Sequence, residues 1–273
     1  MAKGSVTNRP VEVEPRVRRG YFECRYGQLH VHNAIPPGGG FEEGTPLLCL
    51  HHTSGSGRIF ERFLALAGRD RSVYAPDIPG FGESDPPPAR PSLADYAATI
   101  GDFLDTMRFR QIDVLGYQSG ALIAAELAIA RPKQVRRVVF VSVPLLSDPE
   151  RDALRRGVWA PSEDPTQLVA EWQRTLPGVA LEVRVRAFAE RLTNSVHLSW
   201  ALAATQQYAA RERLAQVTQT ALVLRPKDEF WEATGRAREV LHRARCLDLT
   251  PGGGLFELNP EAVVDSTRDF LRG

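Results

Sequence analysis

Cysteine is sparse in this chain. Cys24, Cys49 and Cys246 stand far apart among 273 residues, and no C-x-x-C spacing occurs. They read as buried free thiols, and no metal site follows from them. No run of about 18 apolar residues exists, so no segment is expected to span a membrane. The opening Met1-Ala2-Lys3-Gly4-Ser5 has no apolar core, which argues against a secretory signal. A soluble, cytoplasmic protein is the expectation. Charge of one sign is also missing. Thirty-four Lys and Arg face 33 Asp and Glu, a formal net charge of +1. That leaves no electrostatic footprint for nucleic acid. The short basic stretch Arg16-Val17-Arg18-Arg19 reads as a solvated lead-in. Internal repeats and low-complexity tracts are absent.

What is there is an alternating pattern. With 43% hydrophobic and 25% charged residues, the length suits one large α/β domain or a domain with an insertion. Gly20 to Cys24 and Gln28 to Ala34 alternate around Tyr26-Gly27, a hairpin signature. Ile35-Pro36-Pro37-Gly38-Gly39-Gly40 is a loop by composition. Leu47 to Leu50, Ser72 to Ala75, Ile112 to Leu115, Val135 to Val143, Thr220 to Leu224 and Arg245 to Leu249 read as buried strands. Helical spacing runs through Ile59 to Ala67, Leu93 to Met107, Gly120 to Arg131, Trp231 to His242 and Pro260 to Leu271. Ser92 and Asp95 form a weak capping box before the second of these.

Between Pro144 and about Ala215 the strands stop. Helical stretches follow at Pro149 to Arg156, Thr166 to Thr175, Leu181 to Leu192 and Ser199 to Gln207. The predicted architecture is α/β: a doubly wound, mostly parallel sheet with an inserted all-helical cap. Its parts are a loose N-terminal arm (1–18), a core (19–144 and 216–273) and a cap insertion (145–215).

One segment carries the most chemistry: Val114-Leu115-Gly116-Tyr117-Gln118-Ser119-Gly120-Ala121. It has the frame of a nucleophile elbow, a strained strand-to-helix turn with small residues on either side of the apex. The apex is Gln118, and an amide is not a usable nucleophile. A register with Ser119 at the apex would flank it with Tyr117 and Ala121, and Tyr is too bulky there.

Four landmarks in order resemble the α/β-hydrolase fold family, in its helical-cap branch, over roughly residues 20–273. Leu50-His51-His52-Thr53-Ser54-Gly55 is similar to the family's His-Gly loop. Asp77-Ile78-Pro79-Gly80-Phe81-Gly82-Glu83-Ser84 is similar to its Asp-x-x-Gly-x-Gly-x-Ser turn. Gly116 to Gly120 is the elbow, and Asn259-Pro260-Glu261 opens a final helix.

The resemblance implies an oxyanion hole from the backbone N–H groups of Thr53 and Ser119. His52 replaces the usual Gly and is a candidate site residue, while His51 reads as structural. Asp228 matches the acid of a Ser-His-Asp triad, with Glu229 as a poorer match. The base should fall near Gly253, within Pro251-Gly252-Gly253-Gly254, where no His stands. His242 lies on a helix elsewhere. His197 is either an alternative acid/base or a polar cap residue. Trp159, Trp172 and Trp200 are cap core or substrate wall. His30 and His32 face solvent or pack.

Two of three triad members are therefore missing. One expectation is an enzyme with altered machinery, acting on a small, apolar or aromatic carbonyl compound. Gln118, His52 and Asp228 would be its catalytic residues, with Thr53, Ser119, His197 and Trp172 around the substrate. Water activation and a proton-transfer or lyase step are both open. The alternative is an inactive pseudo-hydrolase that binds a small apolar ligand. No cofactor is expected, because no Gly-rich stretch has the dinucleotide-site order. Partners are limited to a small molecule, and a homodimer is left open.

Overall fold

The computed structural model describes residues 15–37, 44–156, 164–250, 252 and 254–273. An eight-stranded sheet forms its centre: β1 (Arg18–Cys24), β2 (Gly27–Ala34), β3 (Leu47–Leu50), β4 (Val73–Pro76), β5 (Ile112–Tyr117), β6 (Val135–Val141), β7 (Thr220–Pro226) and β8 (Ala244–Leu249). The spatial order is β1-β2-β4-β3-β5-β6-β7-β8. The β1–β2 hairpin and the β2–β4 pair are antiparallel, and the remaining pairs are parallel.

Side chains alternate across the strands and divide the core in two. Leu48, Leu50, Val114, Val138 and Phe140 face one side, where α2 (Leu93–Thr106), α3 (Ser119–Ala130) and α9 (Trp231–Val240) cover them. Leu47, Cys49, Leu115, Val139 and Val141 face the other, under α1 (Glu61–Ala67), α10 (Leu255–Leu258) and α11 (Pro260–Arg272). A mainly parallel sheet needs such two-sided cover. Helix α2 starts where its caps predict: Ser92 Oγ accepts from the Asp95 N–H, and Asp95 Oδ2 accepts from the Ser92 N–H.

Five helices of the described residues lie between β6 and β7: α4 (Asp148–Arg156), α5 (Pro165–Arg174), α6 (Leu181–Thr193), α7 (Ser195–Gln207) and α8 (Ala210–Leu214). Leu198 and Ala201 of α7 and Leu214 of α8 join the core on the α2–α3 side. The doubly wound sheet is therefore observed, with an insertion that contains helices and no strand among its described residues.

Several expectations change. Residue 1–14 placements and residues 38–40 of the Pro-Gly loop lie outside the described residues. Val17 packs against the α1–α11 core, and β1 begins at Arg18. Only Cys49 is fully buried, while Cys24 and Cys246 are half-buried. Of the two readings for His30 and His32, solvent-facing or packed, the second holds, with exposures of 2% and 1%. No described helix is long and apolar enough to cross a membrane.

Candidate active site

The elbow is built by its glycines. A Cβ on Gly116 would sit 2.4 Å from the Gly120 carbonyl oxygen and 2.5 Å from Ala121 Cα. A Cβ on Gly120 would meet the Leu50 carbonyl oxygen at 2.2 Å. The chain thus passes close to itself and to the end of β3, which only glycine allows. Gln118 sits at the apex with φ 51° and ψ −118°, a conformation that costs a non-glycine residue about 1–3 kcal/mol. Its N–H donates to the Val141 carbonyl and its carbonyl accepts from the Ala121 N–H, both at 2.9 Å.

The Gln118 amide is held from two sides. Nε2 donates to Glu229 Oε1 at 3.2 Å and to Tyr117 Oη at 3.3 Å. Burial, with Glu257, Asp228 and Glu229 nearby, pushes the Tyr117 phenol well above its ordinary range, so it stays protonated. The expected oxyanion loop differs from the family pattern. The Thr53 N–H already donates to Ser119 Oγ at 2.8 Å. The Ser119 N–H opens α3, where helical geometry leaves it without an acceptor in its own helix.

The histidines divide into two roles. His51 is buried. Its Nε2 accepts from the Ile78 N–H at 2.8 Å, which leaves the proton on Nδ1 to donate to the His52 carbonyl at 2.7 Å. It joins the β3 loop to the 77–84 turn, a structural role. His52 Nδ1 faces the Ser54 N–H at 3.2 Å and Ser54 Oγ at 2.8 Å. The proton therefore belongs on Nε2. Burial, His51 and Arg191 push the His52 imidazole down to about 3. His52 is thus neutral at pH 7, a donor rather than a proton carrier.

In the loop after β7 the two acids separate. Asp228 turns to Ser142: Oδ2 accepts from Ser142 Oγ at 2.5 Å, and Oδ1 accepts from the Phe230 N–H at 3.0 Å. Ser142 follows β6 with φ 55°, ending the strand two residues before the sequence pattern suggests. Glu229, the poorer match by sequence, is the acid that reaches Gln118. Burial pushes Asp228 up to about 6 from its ordinary 3.8. Its native state therefore keeps a proton that the unfolded chain releases, so stability falls as pH rises from about 4 to about 6. Asp228→Asn removes this penalty. Its unfolding free energy should pull ahead of the wild type across that window, by about 1–3 kcal/mol at pH 7 after allowance for partial exposure. A gap that is the same at pH 4 and pH 7 would contradict this.

A cavity of about 180 Å³ lies over the elbow. His52, Thr53, Ser54, Gln118, Ser119 and Glu229 form its floor and one wall. Leu154, Arg191, Leu198, Leu202 and Thr205 of the helical insertion form the opposite side, with Pro144 and Phe230 at the junction. The insertion thus covers the elbow. Arg191 shares the buried Glu171 carboxylate with Arg174, two cations on one anion. Burial works against the Arg191 charge, and the charge in turn reaches His52.

Other sequence candidates stand apart from this cavity. His197 packs against Gly80 and lies edge-on to Trp200, ring centroids 5.4 Å apart. Trp172 packs edge-on to Phe188 at 5.4 Å and under the Arg184 guanidinium at 4.2 Å, inside the insertion. Trp159 and Gly253 lie outside the described residues, and His242 is exposed. Among the described residues one cluster has metal-ligand types: His30, His32 and Asp77, with ligand atoms within 4.8 Å. Its carboxylate is already taken. Asp77 Oδ2 accepts from His30 Nδ1 at 2.8 Å and the Glu83 N–H at 2.9 Å, and Oδ1 accepts from the Gly57 N–H at 2.7 Å. The cluster is a hydrogen-bond hub joining β2 to the 77–84 turn.

A hydrolase from Pseudomonas aeruginosa PA01 superposes with a TM-score of 0.78 at 21% identity, covering 93% of this chain and 98% of that one. The enol-lactonase from Burkholderia xenovorans LB400 does so with a TM-score of 0.78 at 15% identity, covering 93% and 100%. At these identities the likeness defines the fold. The alpha/beta hydrolase fold family model matches residues 45–232, and the chain belongs to that family.

Among curated relatives, the 2-hydroxymuconate semialdehyde hydrolase of Pseudomonas sp. (strain CF600) is 33% identical over 125 residues, 42% of each protein. A Mycobacterium tuberculosis protein is 29% identical over 99 residues, 36% of this chain and 29% of that protein. The matched stretches span less than half the length of these relatives.

Proposed function

We propose that the elbow cavity is the active site of a hydrolase that forms no covalent intermediate. Its substrate is a small, apolar or aromatic carbonyl compound with an anionic group. The observation that carries this reading is the Gln118 Nε2 to Glu229 Oε1 hydrogen bond, 3.2 Å, at the strained apex. It puts a carboxylate and an oriented amide where the family architecture aims its chemistry at the substrate. Glu229 takes a proton from water, and the Gln118 amide orients that water toward the carbonyl carbon. The water's oxygen bonds to carbon, and the leaving group departs with a proton from Glu229. His52 Nε2–H, neutral and fixed by Ser54, is a donor on the cavity wall.

The substrate class rests on the cavity walls. Leu154, Leu198, Leu202 and Phe230 supply apolar surface, and about 180 Å³ admits only a small molecule. Arg191 supplies a positive charge that Glu171 only half-balances. Guanidinium and carboxylate pair well in planar, bidentate geometry. The relative that acts on 2-hydroxymuconate semialdehyde supports a small substrate of this type.

The test compares two esters: the monophenyl ester of succinic acid and neutral phenyl butyrate. The expected result is a kcat/KM about 10- to 100-fold higher for the anionic ester, the scale of a charged hydrogen bond at ~1.5–3 kcal/mol. Arg191→Gln should erase that preference and leave phenyl butyrate turnover within about threefold. Equal rates on both esters in the wild type would remove the anionic group from the reading. Binding of both esters without turnover would favour the second reading, a ligand-binding pseudo-hydrolase. The engagement of the Thr53 N–H by Ser119 is the observation on that side.

A further inference from the structure

The Ser119–Thr53 contact has a donor left over. Ser119 is 5% exposed and Thr53 8%, and the bond between them is buried. In it the Ser119 oxygen is the acceptor, because the backbone N–H of Thr53 can only donate. The Ser119 hydroxyl proton therefore remains, and among the described residues no hydrogen bond takes it up.

Two acceptors on the cavity wall are engaged elsewhere. His52 Nδ1 is occupied by Ser54, and Glu229 Oε1 by Gln118. A buried hydroxyl with an unused proton is destabilising unless something in the cavity receives it. Both Ser119 and Thr53 line the elbow cavity, so a ligand bound there can receive that proton.

We infer that the Ser119 hydroxyl is the hydrogen-bond donor to the carbonyl oxygen of the bound substrate. It stands in the place where the family pattern would use the Thr53 N–H. The inference rests on the reading of the cavity as a carbonyl-compound site. Thr53 then acts one step back. Its N–H fixes the Ser119 oxygen at 2.8 Å and, by drawing electron density from it, makes the O–H a stronger donor. The proton stays on Ser119 while the carbonyl oxygen gains negative charge, so no bond at Ser119 is broken. This also gives Ser119 a part other than nucleophile. Its side chain is a catalytic residue through donation, and the residue beside an unreactive apex carries what the loop backbone no longer offers.

The experiment uses the full chain and the chromophore 4-dimethylaminobenzaldehyde. Its absorption moves to longer wavelength when its carbonyl oxygen accepts a hydrogen bond. The wild type is expected to bind it with such a red shift. Ser119→Ala should still bind, at most about tenfold more weakly, the scale of one hydrogen bond, and should lose most of the shift. Ser119→Thr should retain it. Ser119→Cys, nearly isosteric with only a weak S–H donor, should lose most of it and serves if the alanine variant does not fold.

An undiminished or larger shift in Ser119→Ala would overturn the inference, because a freed Thr53 N–H would then be the better donor. Binding to the wild type without any shift would overturn it while leaving the carbonyl site standing. Failure of the wild type to bind the probe at all would bring down the carbonyl-site reading itself, and the role of Ser119 with it.

Discussion

Gly120→Ala is expected to destabilise the fold by about 3 kcal/mol or more, lowering the melting temperature by roughly 6–12 °C. The added Cβ would lie 2.2 Å from the Leu50 carbonyl oxygen and 2.6 Å from that of His51. Both are backbone atoms at the end of a central strand, so neither can yield as a flexible side-chain tip would. The helix and β3 would have to part, and the α3 residues Ala121 to Ala125 are fully packed against the same core. Since whole domains are stable by only about 5–15 kcal/mol, such a loss is large. Thermal unfolding followed by circular dichroism measures it. A melting temperature within about 2 °C of the wild type would contradict the close approach of α3 to the end of β3.

Glu229→Gln is the second large effect, on rate rather than stability. The variant keeps an oxygen that can accept from Gln118 Nε2, so the 3.2 Å contact survives in kind while the basic carboxylate is lost. Loss of a general base typically costs 10²–10⁴-fold, and kcat on the succinate monoester should fall by about that much. Ligand affinity should stay within about threefold, because Glu229 is not the group that holds the substrate. Asp228→Asn is the internal comparison. That side chain is turned toward Ser142, so its removal should leave kcat within about tenfold of the wild type. A reversal, with Asp228→Asn inactive and Glu229→Gln active, would return the acid to the position that sequence reasoning favours.

Much of the scaffold was legible because its signals are local. Apolar four-residue runs such as Leu47–Leu50, glycines around Gln118 and the Ser92–Asp95 cap each describe their own geometry within a few residues. The one-turn helices α8 and α10 were not legible, being too short for any helical period to register. The β6 pattern ran on through Ser142 and Val143 because both continue the apolar or β-compatible run. The turn at Ser142 comes with a bond to Asp228, 86 residues away, which no local pattern records.

The same distinction divides the site. Gln118 at the apex, His52 and Thr53 in the loop and the absence of a histidine among residues 251–254 were all apparent in sequence. The exchange of roles between Asp228 and Glu229 was not, because neighbouring acids in a loop differ only in the direction the chain turns. Nor was the Thr53–Ser119 bond, which joins residues 66 apart. Arg191 gave no signal of its own, since α6 carries arginines at 184, 186 and 191 and only packing decides which one enters the cavity. The strained apex makes a consistent picture with these contacts. Gln118 retains a costly conformation where no nucleophile requires it, and its amide is thereby aimed at Glu229.

The most direct test of direct water attack is turnover of the succinate monoester in ¹⁸O-labelled water, acid-quenched within the first turnover and read by intact-protein and product mass spectrometry. Direct water attack predicts ¹⁸O in the released acid, no ¹⁸O in the protein and no acyl adduct at any residue. An acyl group on Ser119, or ¹⁸O appearing in the Glu229 carboxylate, would show a covalent intermediate and contradict it.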